Sequence, residues 1–214
     1  MNIYQLKKLI VLNVFSTEVI KPILEQEYEE PIKKINNMVK KGELIRLKRG
    51  VYALGLEYRD RPVNIFSTAN MLHKPSYVSY EYALSYHGLI PERVYTVTSA
   101  TTYRAATYTT QIATFSYKKI PSKAYPLGIA WKYNEQDGGY MLATAEKALC
   151  DQVHADQRIR AKDDILEYLE NDLRIEWEEL KKLDTTLLWK ISMAYSSSKL
   201  RNMTANIKKR QKNG

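Results

Sequence analysis

The sequence predicts an α+β protein: a winged helix-turn-helix over residues 1–56, then a mixed α/β unit over residues 57–214 that ends in helices. Three observations carry this reading. Three short helical patterns lead to Gly42, and a two-stranded pattern turning at Gly50 follows at once. Between Tyr77 and Tyr140, which hold 11 of the 17 tyrosines, the chain alternates with strand period over most of its length, and tyrosine suits half-buried strands. After Thr144 the period returns to helical.

The elements follow in order. "NIYQLKKLIVLN" puts Ile3, Leu6 and Ile10 on one helical face, with Lys7 and Lys8 beside it. In "FSTEVIKPIL", Ser16 or Thr17 can cap a second helix, Glu18 suits its first turn, and Pro22 limits its run before a bend. "EEPIKKINNMVKKGEL" is a third helix, with Pro31 in its first turn and Gly42 as a left-handed C-cap. Ile32, Ile35, Met38 and Val39 are expected to form its buried stripe. Lys33, Asn37, Lys40 and Lys41 fall opposite, and Lys34 flanks them.

Next, Ile45 and Leu47 alternate with Arg46 and Lys48, the Arg49-Gly50 pair turns, and "VYAL" returns as a second strand. The connector "GLEYRDRP" marks the boundary between units. "SYVSYEYALSYHGL" predicts a helix from near Ser79 to Gly88. "RVYTVTSAT" predicts a strand, and "TYTTQIATFSYKKI" one or two more. "GIAWKYNEQDGGYMLA" predicts a hairpin turning at Asp137-Gly138-Gly139. Thr144 caps a helix through "TAEKALCDQVHADQRI". "AKDDILEYLEN", "EWEELKKL", "TTLLWKISMAY" and the basic segment "KLRNMTANIKKRQKNG" continue as helices.

The net charge of +9 is unevenly spread. Residues 1–54 hold ten Lys/Arg and six Asp/Glu, hence +4; residues 190–214 hold seven and none, hence +7; the middle is left at 9 − 4 − 7 = −2. Positive ends on a slightly acidic body point to a polyanionic partner. The basic tail reads as a solubilising end, a DNA-binding arm or a packed helix, and its apolar spacing at Leu200, Met203 and Ile207 favours the last. No apolar run is long enough for a membrane span, and the first residues read as part of the fold and not as a signal peptide. The lone Cys150 excludes an internal disulfide and suits a reducing compartment, so the expected location is the cytoplasm.

Enzymatic chemistry finds little footing. The sequence has no phosphate-binding glycine loop and no Cys/His set with zinc spacing, and His73, His87 and His154 are dispersed. Neither cofactor nor metal is expected. Cys150 reads as a small core residue and His87 as a capping or packing group. The acidic pairs Asp163-Asp164 and Glu178-Glu179 read as solvated faces, and Glu146-Lys147 lacks the upstream acid a nuclease would need. The tyrosines could stack bases, but strand packing accounts for them as well.

The helix-and-hairpin pattern is the strongest signal. In such folds the third helix enters the major groove and the wing touches adjacent backbone. Lys33, Lys34, Lys40 and Lys41 are expected on phosphates. Asn36 and Asn37 can pair a donor and an acceptor with adenine, and Arg46, Lys48 and Arg49 are the wing contacts. The competing classes are a nucleic-acid-processing enzyme that docks through this domain and a protein-interaction module bound to a toxin.

Three stretches make the chain similar to the AbiEi family of antitoxins and transcriptional repressors, from bacterial type IV toxin–antitoxin and abortive-infection systems. They are "KKGELIRLKRGVYAL", "PSYVSYEYALSYHGLIPERVYTVTSATTYR" and "MLATAEKALCDQV", the last with Ala145 where the family often has proline. The resemblance implies a non-enzymatic repressor that binds inverted repeats upstream of its own operon. It also implies a second unit that counteracts a co-encoded nucleotidyltransferase toxin without needing a stable complex. The Gly-Ser motif such a toxin would carry is missing here. Tyr80, Glu81, Tyr86 and His87 lie in the second stretch and are the candidate antitoxin surface.

Overall fold

The computed structural model describes residues 1–136, 138–160 and 164–213. Within them the chain is mixed α+β, with ten α-helices and two sheets. The first unit runs α1 (Ile3–Leu9), β1 (Val14–Ser16), α2 (Thr17–Glu25), α3 (Pro31–Lys40), β2 (Leu44–Lys48) and β3 (Val51–Leu54). Its three strands form an antiparallel sheet in the order β1-β3-β2.

Local chemistry explains these ends. Asn2 accepts from Gln5 N–H and Gln5 reaches back to the Asn2 N–H, a capping box that starts α1. Helix α2 runs through Pro22 and ends at Glu25. Ser16 occupies its cap position without a side-chain cap bond, and Thr17 N–H instead donates to the Gly50 carbonyl at 2.9 Å. Gly42 (φ +74°) and Gly50 (φ +82°) take the left-handed backbone that turns the chain out of α3 and around the β2–β3 hairpin. Strand β1 is invisible in the sequence because three residues are too few to show a period.

The second unit opens with a single 3₁₀ turn at Leu56–Tyr58, where the expected boundary falls, and then α4 (Ile65–Leu72), also unforeseen. Its elements continue as β4 (Ser76–Val78), α5 (Tyr80–Tyr86), β5 (Val97–Thr101), β6 (Ala106–Thr109), β7 (Thr114–Lys119), β8 (Ile129–Asn134) and β9 (Gly138–Ala143). After these come α6 (Ala145–Ala155), α7 (Ile165–Glu167) running into a π-turn, α8 (Trp177–Leu180), α9 (Thr185–Ala194) and α10 (Ser198–Asn213). The sheet order is β6-β7-β5-β4-β9-β8, parallel at β5–β7 and β4–β9 and antiparallel elsewhere. Helix α6 is central: Lys147 to Val153 are all buried, and it packs against α5, α9 and α10. Asp137 of the expected turn and Asp163 of the expected acidic pair lie outside the described residues, while Gly138 turns at φ +73° and Asp164 caps α7.

Two cores meet at β3. Tyr52 and Leu54 join Ile3, Leu6, Phe15 and Ile35 in the first, while Val51 and Ala53 join Val14, Leu47 and the second unit's core. The period of two puts alternate residues on opposite faces, and here both faces are covered, so all of β3 is buried. The hairpin is therefore fastened to the second unit. Burying side chains the size of Leu47 and Val51 contributes roughly 1.5–3 kcal/mol each.

Candidate nucleic-acid interface

The face expected to meet DNA begins with α3. The stripe it buries is Pro31, Ile35 and Met38, with Val39 half-buried. Ile32 is 46% exposed and so does not belong to that stripe, contrary to expectation. The reason is geometric: Pro31, Ile35 and Met38 at i, i+4 and i+7 define the inner face and turn Ile32 outward beside Lys33.

The nine candidate residues separate into engaged and open ones. Lys33 pairs with Glu30 at 2.7 Å, both well exposed. The Lys34 ammonium lies over the Tyr28 ring, 4.8 Å from its centre. Arg46 donates to Asn36 Oδ1 at 2.5 Å and sits over the Tyr52 ring, which ties the hairpin to α3. Asn37, Lys40, Lys41 and Arg49 are exposed, and the three cations form no ion pair among the described residues. Lys48 is different. A bulge between Arg46 and Lys48 sets it opposite Val51, half-buried, with its ammonium 5.4 Å from the centre of the Tyr108 ring. Burial, then the nearby charge of Lys74, holds its pKa below the usual lysine value.

The fold adds residues that local patterns do not reveal. Lys74 follows α4 and Arg104 precedes β6, yet Lys74 acts on Lys48, and Lys48 and Arg104 both act on His73. His73 is 5% exposed, and its pKa is pushed down first by burial and then by those cations. Gln111, at the tip of the β6–β7 hairpin, joins Lys41 and Arg46 along one cleft. No sequence signal links these three segments, because tertiary packing alone brings them together.

The second candidate surface fares unevenly. Tyr80 is 1% exposed and is corrected from surface to core: its φ of +57° at the start of α5 turns the ring inward, under the Lys118 ammonium. Glu81 is half-buried, and Tyr86 is open on one side while meeting Phe66 edge-on. His87 caps α5, and its Nε2 lies 2.8 Å from the Ala143 carbonyl oxygen.

A polar cluster in the same unit was not foreseen. Lys147 and Asp151 are buried and 3.1 Å apart, one turn apart on α6. Tyr77 (2.8 Å) and Ser79 (2.7 Å) donate to Asp151 Oδ2, Tyr195 (2.6 Å) donates to Oδ1, and Lys147 donates to the Ala124 carbonyl (2.8 Å). Burial and then the Asp151 charge push the Tyr77 and Tyr195 hydroxyls far above the usual phenol pKa, so they stay protonated donors. The i, i+4 spacing of Lys147 and Asp151 was the available signal. Cys150 beside them is wholly buried, and burial raises its thiol pKa.

A family model described as "Transcriptional regulator, AbiEi antitoxin" matches residues 27–55, from just before α3 to just after β3. This is the family the sequence resembles, matched over the helix and hairpin that carry the open cations. No curated protein matches the chain. Among the described residues no helix is long and apolar enough to cross a membrane.

Proposed function

We propose that residues 1–56 work as a winged helix-turn-helix, and that the chain is a DNA-binding autorepressor and antitoxin. In this reading α3 enters the major groove of inverted repeats upstream of its own operon, and the β2–β3 hairpin is the wing. The observation that carries it is the exposed surface of Asn37, Lys40, Lys41 and Arg49, where the three cations lack any carboxylate partner among the described residues. The family match over residues 27–55 supports the same segment as the regulatory one.

Roles divide by what each side chain already holds. Lys40, Lys41 and Arg49 neutralise phosphates, and Asn37 offers a base edge a paired donor and acceptor. Arg46 orders the hairpin on α3 through Asn36 before DNA arrives. Lys48, Lys74 and Arg104 extend the positive field toward the second unit. That unit, in a cytoplasmic protein without enzymatic activity or cofactor, counteracts a co-encoded nucleotidyltransferase toxin. Glu81, Tyr86 and His87 are its candidate contacts.

The test is a mobility shift with the DNA upstream of its own gene against scrambled DNA of equal length. Wild type is expected to prefer its own DNA, and Asn37→Ala/Lys41→Ala to lose that preference while staying folded. Equal binding of both DNAs by wild type would overturn the repressor reading.

A further inference from the structure

A cavity of about 430 Å³ lies between the two units. Its size falls in the range of roughly 300–1,000 Å³ typical of small-molecule sites. Leu12 and Val14 come from the first unit; Met71, Pro75, Trp131 and Met141 come from the second. Among the described residues no Asp or Glu lines it.

Most polar groups in its wall are already used. Asn64 Oδ1 accepts from Ser67 N–H at 3.0 Å and caps α4. Asn70 Oδ1 accepts from Met141 N–H at 2.5 Å, and Asn13 donates to the Arg61 carbonyl at 3.2 Å. Lys74 is exposed and makes no ion pair among the described residues, with Glu18 and Lys48 the charges that feel it. An exposed ammonium at the edge of an apolar cavity favours a ligand with an apolar body and an anionic group.

The wall also has a flat aromatic element. Trp131 is 63% exposed, yet its indole lies directly on Gly139 of the adjoining strand, where an added Cβ would fall 1.8 Å from Cζ2. Only glycine there lets the ring lie against the strand and form part of the cavity.

We infer that this cavity binds a small planar aromatic acid, its ring among Trp131, Met71 and Met141 and its carboxylate toward Lys74. The inference stands independently of DNA binding. The ligand would touch both units at once, so its occupancy should stabilise both together.

The experiment titrates the full chain with indole-3-carboxylate, and separately with uncharged indole-3-carboxamide, by calorimetry. Wild type should bind the acid saturably at one site. Lys74→Met should weaken the acid roughly tenfold, as for loss of one charge-assisted hydrogen bond, and leave the amide unchanged. Ser67→Phe, which fills the cavity, should abolish both while circular dichroism reports a folded chain. If Ser67→Phe does not fold, the acid-against-amide contrast in Lys74→Met decides alone, since Lys74 is exposed. Absence of saturable binding at millimolar acid, or binding unchanged in the variants, would overturn the site.

Discussion

Lysines sit in opposite environments in the two units. Lys40 and Lys41 of the first project into water without an ion pair among the described residues, while Lys147 of the second is wholly enclosed, with Asp151, the Ala124 carbonyl and Tyr195 around it. The difference separates two uses of one side chain. An enclosed charge whose partners are all supplied by the fold is committed to the fold. An exposed charge costs little to keep and is free to meet an outside anion. On this view the second unit is held together partly by polar bonding, whereas the exposed Lys40 and Lys41 contribute little to stability and are free for binding.

The sharpest way to break that comparison is at Asp151. Asp151→Ala leaves Lys147 buried without its counter-charge and orphans the hydroxyls of Tyr77, Ser79 and Tyr195. Urea unfolding should show a loss of about 3–5 kcal/mol. A loss under about 1 kcal/mol would mean the cluster is not structural. Lys40→Ala/Lys41→Ala is the counterpart on the surface. Its stability should stay within about 0.5 kcal/mol of wild type while DNA affinity falls at least roughly tenfold at moderate salt.

Gly42→Ala tests the joint between α3 and the hairpin. Nothing crowds an added Cβ there, so only the positive φ is strained, and the cost should be about 1–2 kcal/mol by thermal unfolding. Stability should also depend on pH through His73 and His154, both held below the usual histidine pKa first by burial. Each is neutral when folded and takes up its proton more readily when unfolded. Their contribution is therefore complete above about pH 6.5 and is lost as pH falls below it toward the folded values. His73→Phe/His154→Phe should flatten that part of the profile. The smallest effect belongs to Lys33→Ala, whose exposed pair with Glu30 should be worth under about 0.5 kcal/mol.

Much of the first unit could be read from its residues, because its signals are local. Gly42 and Gly50 mark joints where the backbone must turn left-handed, and the Ile45/Leu47 against Arg46/Lys48 alternation names a strand. What the alternation leaves open is which core receives the apolar side. Ile45 and Leu47 pack toward the second unit, a consequence of long-range assembly. Ile32 fails for a related reason: projection gives the spacing of a stripe, and Pro31, an unusual residue to bury, shifts its centre. Helix α4 has little amphipathic contrast to betray it, since Ser67, Thr68 and Asn70 lie among its apolar residues. The Lys147 cluster was hidden because charge in a sequence suggests solvent, and only two distant segments, around Tyr77–Ser79 and at Tyr195, supply the hydroxyls that make its burial tolerable. For the site the same limit applies. The open cations of α3 and the hairpin were legible, whereas Lys74, Arg104 and Gln111 join them only through packing.

The most direct test of the central claim, that the first unit's open cations exist to meet phosphates, is the salt dependence of binding to its own upstream DNA. Fluorescence anisotropy would follow wild type and Lys40→Ala/Lys41→Ala/Arg49→Ala across a range of salt concentrations. Every phosphate that a variant leaves without its cation should flatten the plot of log K against log salt by roughly 0.9, so the triple variant should be shallower by about 2–3 per subunit. An unchanged slope in a folded triple variant would place the DNA-binding surface elsewhere and contradict the account.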